Sequence, residues 1–344
     1  MLMFMGWLKD VLRLVHDEPV TILSDICSVE RIAWISMSAA AIAAANLPSL
    51  SPIIDHGKLL PAPRLLTVPK RLFTHFYAVS LAANGLALAD TVLFGGSILV
   101  NKTQAGSVCS QRTVSDGKAG PVEQLFLDCF LCTCMMQLQA ARRLWECLRV
   151  TRWGSAGMHA GGYVIGVSYY LLVALTIVAE SPPAVALQSW SLHTDGGGGR
   201  GGSWVAAFPL RLAALVGIRH ILALALFVLG SVKQHQALRH LASLRTAAGS
   251  RQGQGHRAVL AGEKAHALPT EGWFRYVSCP HYLGEVLVYT SYAGVTGGRV
   301  PGVLLMCMFV TVSQSTSAGR VHAWYHAKFE DYPRSRRRLL PGVW

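Results

Sequence analysis

The sequence predicts an all-α, polytopic membrane protein with about seven transmembrane helices in a single bundle. Hydrophobic residues make up 52% of the 344 residues and charged residues only 14%, whereas a soluble domain carries about 25% charged residues. The apolar residues gather into long runs, and a helix that crosses a bilayer needs about 20 of them. Lys and Arg lie mainly between these runs, which is also typical of a membrane protein.

Seven apolar runs are candidates for membrane spans. The fifth run contains Arg211, Arg219 and His220, which are costly in a bilayer unless they face a polar interior. The sixth run is short and the seventh turns polar after Val312, so six spans with a re-entrant last segment is the open alternative. The predicted spans are 32–54, 72–100, 121–141, 159–180, 205–231, 281–297 and 300–325.

The distribution of positive charge predicts the topology. With the C-terminal tail on the cytoplasmic side, seven spans place twenty Lys and Arg in cytoplasmic segments and five in the opposite loops. This bias agrees with the positive-inside rule and puts the N-terminus on the other side. The net charge of +13 is also typical of nucleic-acid-binding proteins. No nucleic-acid partner is predicted, however, because the basic residues flank spans and form no such motif.

Three features resemble sites but have simpler interpretations. Cys129, Cys132 and Cys134 have no second ligand cluster, so we interpret them as buried free thiols on a helix and predict no metal site. Residues 194–203 are rich in glycine, but they lack the Lys-Ser/Thr pair and the flanking strand of a phosphate-binding loop. We predict a flexible linker there. Residues 247–267 form a second predicted loop, rich in Gly, Gln and Arg.

Ionisable residues that could carry chemistry fall into four sets, all on the predicted cytoplasmic side. A site for a water-soluble anionic cofactor requires this convergence. Two of the sets have simpler interpretations when each is considered alone. A basic tail usually anchors lipid headgroups, and a His–Glu pair four residues apart is a common contact on a helix surface. The sets are Lys70, Arg71, His75 and Tyr77; Arg142, Arg143 and Glu146; His281 and Glu285; and the tail residues from His322 to Arg336.

Several blocks of the chain resemble a known family. The blocks PHYLGE at 280–285 and WYHAKFEDYPRSRRRLLP at 324–341 resemble the steroid 5-alpha-reductase family. The earlier blocks are similar to the polyprenol reductase branch of that family. They are VPKRLFTHFYAVSLAANG at 68–85, ARRLWECLRV at 141–150 and QHQALRHLASLR at 234–245. Together the blocks cover most of the chain outside its first 55 residues and the two Gly-rich loops.

The resemblance implies a seven-helix protein of the endoplasmic reticulum membrane that binds NADPH from the cytosol. It implies reduction of the α-isoprene double bond of a polyprenoid lipid, which yields the dolichol series needed for protein N-glycosylation. Residues 1–160 would hold the candidate substrate residues, and residues 161–344 would bind the cofactor, as one integral unit. The family's cofactor positions correspond to Arg143, Gln234, Arg245, His281, Glu285, Tyr325 and Arg336.

Two departures from the family pattern bear on the cofactor. Leu238 stands where the family usually has a polar residue, and Ala323 stands where a basic residue is common. Phosphate recognition is therefore expected to rest more heavily on Arg245 and the tail arginines. The candidates for the phosphate site are Arg143, Arg245 and Arg336, whose guanidinium groups suit phosphate oxygens. The nicotinamide carboxamide would then be oriented by the polar residues Gln234, His281, Glu285 and Tyr325.

The chemistry of the reaction favours an aldehyde as the species that is reduced. Hydride adds to a carbon–carbon double bond when the resulting negative charge is stabilised, as an adjacent carbonyl allows and an allylic alcohol does not. The protein must then supply a donor to the carbonyl oxygen. His75 and Tyr77 are the predicted donors, although an interfacial histidine with a structural role is an equal alternative for His75.

Other functions stay open at this point. A reductase of a 3-oxo-4-ene steroid and a membrane methyltransferase that uses S-adenosylmethionine are the enzyme alternatives. A transporter or receptor would place polar residues near the bilayer midplane and show a hydropathy repeat, and neither is evident in the sequence. The oligomeric state is not predicted.

Overall fold

The computed structural model describes residues 19–47, 66–94, 121–154, 157–181, 213–252 and 267–342. Within these ranges the chain is almost entirely helical. One short antiparallel sheet pairs β1 (Thr67–Pro69) with β2 (Gly157–His159). The helices are α1 (Pro19–Asn46), α2 (Phe73–Phe94), α3 (Pro121–Arg149), α4 (Ala160–Glu180), α5 (Ile218–Gln252), α6 (Pro280–Thr296) and α7 (Pro301–Lys328). Two 3-10 turns, Lys70–Leu72 and Gly272–Arg275, precede α2 and α6.

The predicted all-α membrane architecture is confirmed, and each predicted span overlaps one of these helices. The bounds of α4, α6 and α7 lie within a few residues of the predicted spans. Several predictions fall outside the described residues. They are the outer parts of three spans, 48–54, 95–100 and 205–212, together with the linker 194–203 and most of the loop 247–267.

The fifth predicted span, 205–231, overlaps only the first part of α5. Residues 215–217 are not helical, and α5 begins at Ile218, where the Nδ1 atom of His220 accepts a hydrogen bond from the Gly217 N–H at 2.9 Å. The helix then continues to Gln252, into the predicted loop. The predicted span ended at residue 231 because the residues that follow are polar. Two of these polar residues, Gln234 and His235, contact α3.

Among the described residues, four helical segments are long and apolar enough to cross a membrane by length and composition: Lys70–Ala89, Ala160–Glu180, Ile218–Arg245 and Pro301–Lys328. α3 is not among these segments, and it carries buried acidic residues toward both ends. Its Asp128 and Glu146 are 18 residues apart, which corresponds to roughly 27 Å along a helix. That separation is close to the hydrocarbon thickness of a bilayer, about 30 Å, so α3 is long enough to span it.

Two of the polar residues of the fifth predicted span, Arg219 and His220, contact a buried carboxylate toward one end of α3, and Arg211 lies outside the described residues. Asp128 is fully buried and accepts from Arg219 and Arg299 at 2.7 Å each. It also accepts from the Nε2 atom of His220 at 3.0 Å. This Asp128 cluster ties α3 to the start of α5 and to the turn between α6 and α7. The cost of placing these side chains near a membrane is thereby reduced.

α5 and α6 make the most extensive helix–helix contact in the described chain. Two glycines allow it. A Cβ atom added to Gly284 would lie 2.8 Å from the Gly230 carbonyl oxygen and 2.8 Å from the Cβ of Gln234. Small residues at facing positions let membrane helices approach closely. Because the helices touch here, Gln234 of α5 lies directly beside Glu285 of α6.

Candidate active site

A buried tyrosine and an arginine form the centre of the candidate site. Tyr77 lies on α2 with 7% of its surface exposed. The Nη2 and Nε atoms of Arg143, on α3, donate to its hydroxyl oxygen at 2.9 and 3.2 Å. The guanidinium carbon also lies 4.9 Å from the ring centroid. Since Arg143 only donates, the Tyr77 oxygen is the acceptor and its own proton can be given to another group.

Glu146 joins Arg143 to a second arginine. Its carboxylate is fully buried and accepts from Arg142 at 2.6 Å and from Arg143 at 2.5 Å. The Nδ1 atom of His235, on α5, lies 2.8 Å from the same carboxylate. Burial alone would raise the pKa of the Glu146 carboxyl, but the charges and hydrogen bonds of the two arginines hold this pKa below its ordinary value. Glu146 is therefore an ionised carboxylate.

Gln234 links these arginines to α6. Its side-chain oxygen accepts from Arg142, and its NH₂ group donates to Glu285. Gln139 of α3 contacts the same oxygen at 3.4 Å. Gln234 is buried, and Glu285 is partly buried. A continuous set of hydrogen bonds thus runs from Tyr77 through the two arginines to Glu285.

His75 lies outside this set of bonds. Its side chain is exposed, and its Nδ1 atom lies 2.9 Å from the Tyr163 hydroxyl on α4. The two rings meet edge to face with centroids 6.0 Å apart. The structure therefore places the two predicted donors, His75 and Tyr77, in different surroundings.

The C-terminal tail folds into a second cluster around Tyr332. The Tyr325 ring stacks on Tyr332 with centroids 5.5 Å apart, and the Arg336 guanidinium lies 5.0 Å from the Tyr332 centroid. Ser278 lies 2.5 Å from the Tyr332 hydroxyl. Burial raises the pKa of Tyr332, although the Ser278 hydrogen bond and the Arg336 charge oppose this. Arg336 itself is buried and donates to the Pro269 carbonyl at 3.0 Å.

The last two predicted cofactor residues have other surroundings. Arg245 is exposed, and its Nη1 atom donates to the Arg152 carbonyl oxygen at 2.5 Å. His281 lies one turn before Glu285 on α6, and its ring centroid is 4.1 Å from that of Tyr282. Arg245 is on the polar extension of α5, the part that hydropathy assigned to a loop.

The structure thus joins four of the nine predicted site residues in one network: Tyr77, Arg143, Gln234 and Glu285. Tyr325 and Arg336 meet in the tail cluster. Sequence analysis counted Arg142 and Glu146 among the ionisable residues that could carry chemistry but gave them no role in the site, and it did not name His235 individually. The spacing of Arg142 and Arg143 from Glu146, four and three residues, could have indicated their ion pairs. The His235 contact is tertiary and has no such signal.

This arrangement, a buried tyrosine polarised by an arginine within a helical membrane scaffold, is that of a membrane-embedded enzyme. Residues 198–344 match the family described as 3-oxo-5-alpha-steroid 4-dehydrogenase. The chain is 32% identical over 283 residues to a polyprenal reductase of Xenopus laevis, a match that covers 80% of this chain and 77% of the relative. The chain therefore belongs to the steroid 5-alpha-reductase family, in its polyprenal reductase branch, and is an oxidoreductase that acts on CH–CH bonds.

Relatives from distant organisms agree with this assignment. The human polyprenal reductase is 27% identical over 332 residues, covering 90% of this chain and 94% of the relative. Polyprenal reductase 1 of Arabidopsis thaliana is 28% identical over 293 residues, covering 84% and 85%. The family resemblance predicted from the sequence blocks is confirmed.

Proposed function

We propose that this chain uses NADPH to reduce the α-isoprene double bond of a polyprenal, with Tyr77 as the donor to the carbonyl oxygen. The observation that carries the proposal is the pair of hydrogen bonds from Arg143 to the buried Tyr77 hydroxyl. The names of the relatives support an aldehyde substrate. The chemistry supports it too, because only the aldehyde stabilises the charge left by hydride addition.

The atoms and electrons of this reaction balance as follows. NADPH bound beside Gln234 and Glu285 would supply a hydride to the β-carbon of the unsaturated aldehyde and would be oxidised to NADP⁺. The electrons of the double bond move toward the carbonyl oxygen, which takes the Tyr77 proton and becomes an enol. The enol then becomes the saturated aldehyde by moving a proton to its α-carbon. Tyr77 recovers its proton from water.

Arg143 supports the donor in two ways. Its positive charge stabilises the negative charge that Tyr77 acquires when its proton leaves, and its hydrogen bonds hold the hydroxyl in place. The sequence analysis assigned Arg143 to a cofactor phosphate. Both sides of its guanidinium group are engaged here, by Tyr77 and Glu146. We therefore assign phosphate recognition to Arg245 and Arg336 instead.

The groups around the network fit NADPH. Glu285 and Gln234 offer a carboxylate and an amide, the complements of a nicotinamide carboxamide, and His281 and Tyr325 are the further candidates. Among the described residues, the buried Nε–H of Arg142 has no hydrogen-bond partner, so the network keeps a donor for a bound group. Arg336 offers a buried guanidinium, whose rigid fork of donors suits a phosphate.

The cellular setting follows from the charge distribution and the family. We propose that the protein lies in the endoplasmic reticulum membrane with its C-terminus and cofactor site on the cytosolic side. NADPH is water-soluble and anionic, and the positive-inside bias supports this orientation. The product would supply dolichol for protein N-glycosylation. The division into substrate and cofactor regions near residue 160 remains a prediction, although Arg142 and Gln234 bond across it.

A cofactor-protection experiment tests this proposal against a methyltransferase. NADPH at 100 times its dissociation constant should stabilise the purified protein by about 2.7 kcal/mol, visible as a higher Tm, and S-adenosylmethionine should not. Arg336→Lys should weaken NADPH binding about tenfold, which is roughly 1.4 kcal/mol, because lysine lacks the fork of donors. The exposed Arg334→Lys is the control. Protection by S-adenosylmethionine alone, or faster turnover of a 3-oxo-4-ene steroid than of polyprenal, would contradict the proposal.

A further inference from the structure

Glu146 occupies a junction in the network. One carboxylate oxygen, Oε1, lies 2.6 Å from Arg142 and 2.8 Å from the His235 Nδ1 atom, and the other, Oε2, lies 2.5 Å from Arg143. A carboxylate only accepts hydrogen bonds, so Nδ1 of His235 must carry the proton in this contact. The side chain has no exposed surface, and its role in the reaction is the open question.

The two arginines that Glu146 holds point toward different parts of the site. Arg143 contacts the Tyr77 hydroxyl, which is the proposed donor. Arg142 contacts Gln139 and Gln234, and Gln234 bonds to Glu285. One buried carboxylate therefore sets the position of the donor's arginine and of the amide that faces the cofactor residues.

We propose that Glu146 is a positioning residue: it holds Arg143 against Tyr77 and Arg142 against Gln234, without touching either reactant. This inference rests on the proposed function, because it requires Tyr77 to be the donor. Arg142 and Arg143 are adjacent in the chain and carry like charges, so removal of the carboxylate would let them separate. The Tyr77 hydroxyl would then lose its fixed cation, which would slow the chemical step more than it would weaken NADPH binding.

A purely structural role is the rival explanation, and the chain contains a matched control for it. Asp128, toward the other end of α3, is also a fully buried carboxylate held by two arginines and one histidine. It lies 18 residues from Glu146 in the chain and has no contact with Tyr77 among the described hydrogen bonds. Asp128→Asn should lower Tm as Glu146→Gln does, but leave the kcat of the folded protein unchanged.

The experiment is a double-mutant cycle with Tyr77→Phe and Glu146→Gln in the full-length protein. The readouts are kcat for polyprenal, the NADPH dissociation constant measured directly, and Tm. Glu146→Gln should lower kcat by about 10- to 100-fold, the range expected when a hydrogen bond to a charged group is lost. The NADPH dissociation constant should stay within about threefold. In the Tyr77→Phe background the further loss should be less than about threefold, because both changes remove the same interaction.

Each other outcome has a definite meaning. Equal losses from Glu146→Gln in both backgrounds, or an equal loss of kcat in Asp128→Asn, would overturn the positioning role. Should Glu146→Gln not fold, Arg143→Lys replaces it, because lysine keeps the charge but cannot bridge Glu146 and Tyr77. Retention of full kcat by Arg143→Lys would then overturn the inference. A wild-type protein that does not reduce polyprenal would instead refute the proposed function.

Discussion

His75 and Tyr77 are two residues apart on α2, yet only one of them has the surroundings of a proton donor. Tyr77 is buried and accepts two hydrogen bonds from a guanidinium group. His75 is exposed, and its described hydrogen bond is to Tyr163. Side chains two positions apart on a helix point in different directions. The sequence predicts that both lie near the cytosolic end of α2, but it does not show which of them faces the other helices.

Tyr77→Phe should lower kcat by about 10²- to 10³-fold, within the range ordinarily supplied by general acid catalysis. The fold and NADPH affinity should persist, since the ring and its packing remain. The measurement is polyprenal turnover together with NADPH binding. Tyr276→Phe, at a tyrosine with 61% exposure, is the matched control. Near wild-type turnover of Tyr77→Phe, with the rate lost in His75→Phe, would move the donor role to His75.

Sequence reasoning at the residue scale found the partners that follow the family pattern, but it did not use the local spacing that indicates the ion pairs of Glu146. Gln234 and Glu285 were selected from the resemblance, and the structure bonds them to each other. Sequence reasoning did not identify Glu146 as the junction of the network. This role depends on the contact of Glu146 with His235 of α5 and on the contact of Arg143 with Tyr77 of α2. For the same reason the sequence analysis assigned Arg143 to a cofactor phosphate. Its contact with Tyr77 joins α3 to α2 and has no signal in the local sequence.

At the scale of helices, the α5–α6 contact positions two of the proposed cofactor residues, Gln234 and Glu285. Gly230 and Gly284 bring the two backbones together. Gln234 lies one helical turn after Gly230, and Glu285 directly follows Gly284. Any widening of this contact would separate the amide from the carboxylate. The distance between the two helices is therefore expected to affect stability and cofactor binding together.

Gly284→Ala should destabilise the protein by about 1–3 kcal/mol, the usual cost of overpacking, because the new methyl group meets the α5 backbone. NADPH affinity should fall as well. Gly319→Ala is the control, since a Cβ at Gly319 meets no heavy atom within 4 Å and alanine is the better helix former. Thermal unfolding in detergent and NADPH titration measure both effects. An unchanged Tm for Gly284→Ala would contradict the close approach.

The helices themselves were largely predictable, for a physical reason. Bilayer spans must be apolar and of a given length, so runs such as 159–180 and 300–325 match α4 and α7 closely. α5 was misplaced because its second half is polar and is stabilised by contacts with α3 and α6. Hydropathy alone does not detect the polar second half of this helix, which carries Arg245, a residue of the proposed site.

At the scale of the whole molecule, two of the buried carboxylates in the described chain, Asp128 and Glu146, lie toward opposite ends of α3. Asp128 neutralises arginines at one end of α3, and Glu146 does so at the other. The proposed chemistry belongs to the Glu146 end, the side to which the positive-inside rule assigns the cytosol. A polyprenoid chain is hydrocarbon and is expected to remain among the helices or in lipid while its polar end reaches Tyr77.

The most direct test of this account uses purified protein, NADPH carrying deuterium at the transferred hydride, and polyprenal or polyprenol in separate reactions. With polyprenal, one NADPH should be oxidised per molecule of dolichal formed, and mass spectrometry should find one deuterium at the β-carbon. With polyprenol and no oxidising partner, there should be no turnover. Equal turnover of polyprenol, or dolichal without deuterium at the β-carbon, would contradict hydride addition to the unsaturated aldehyde.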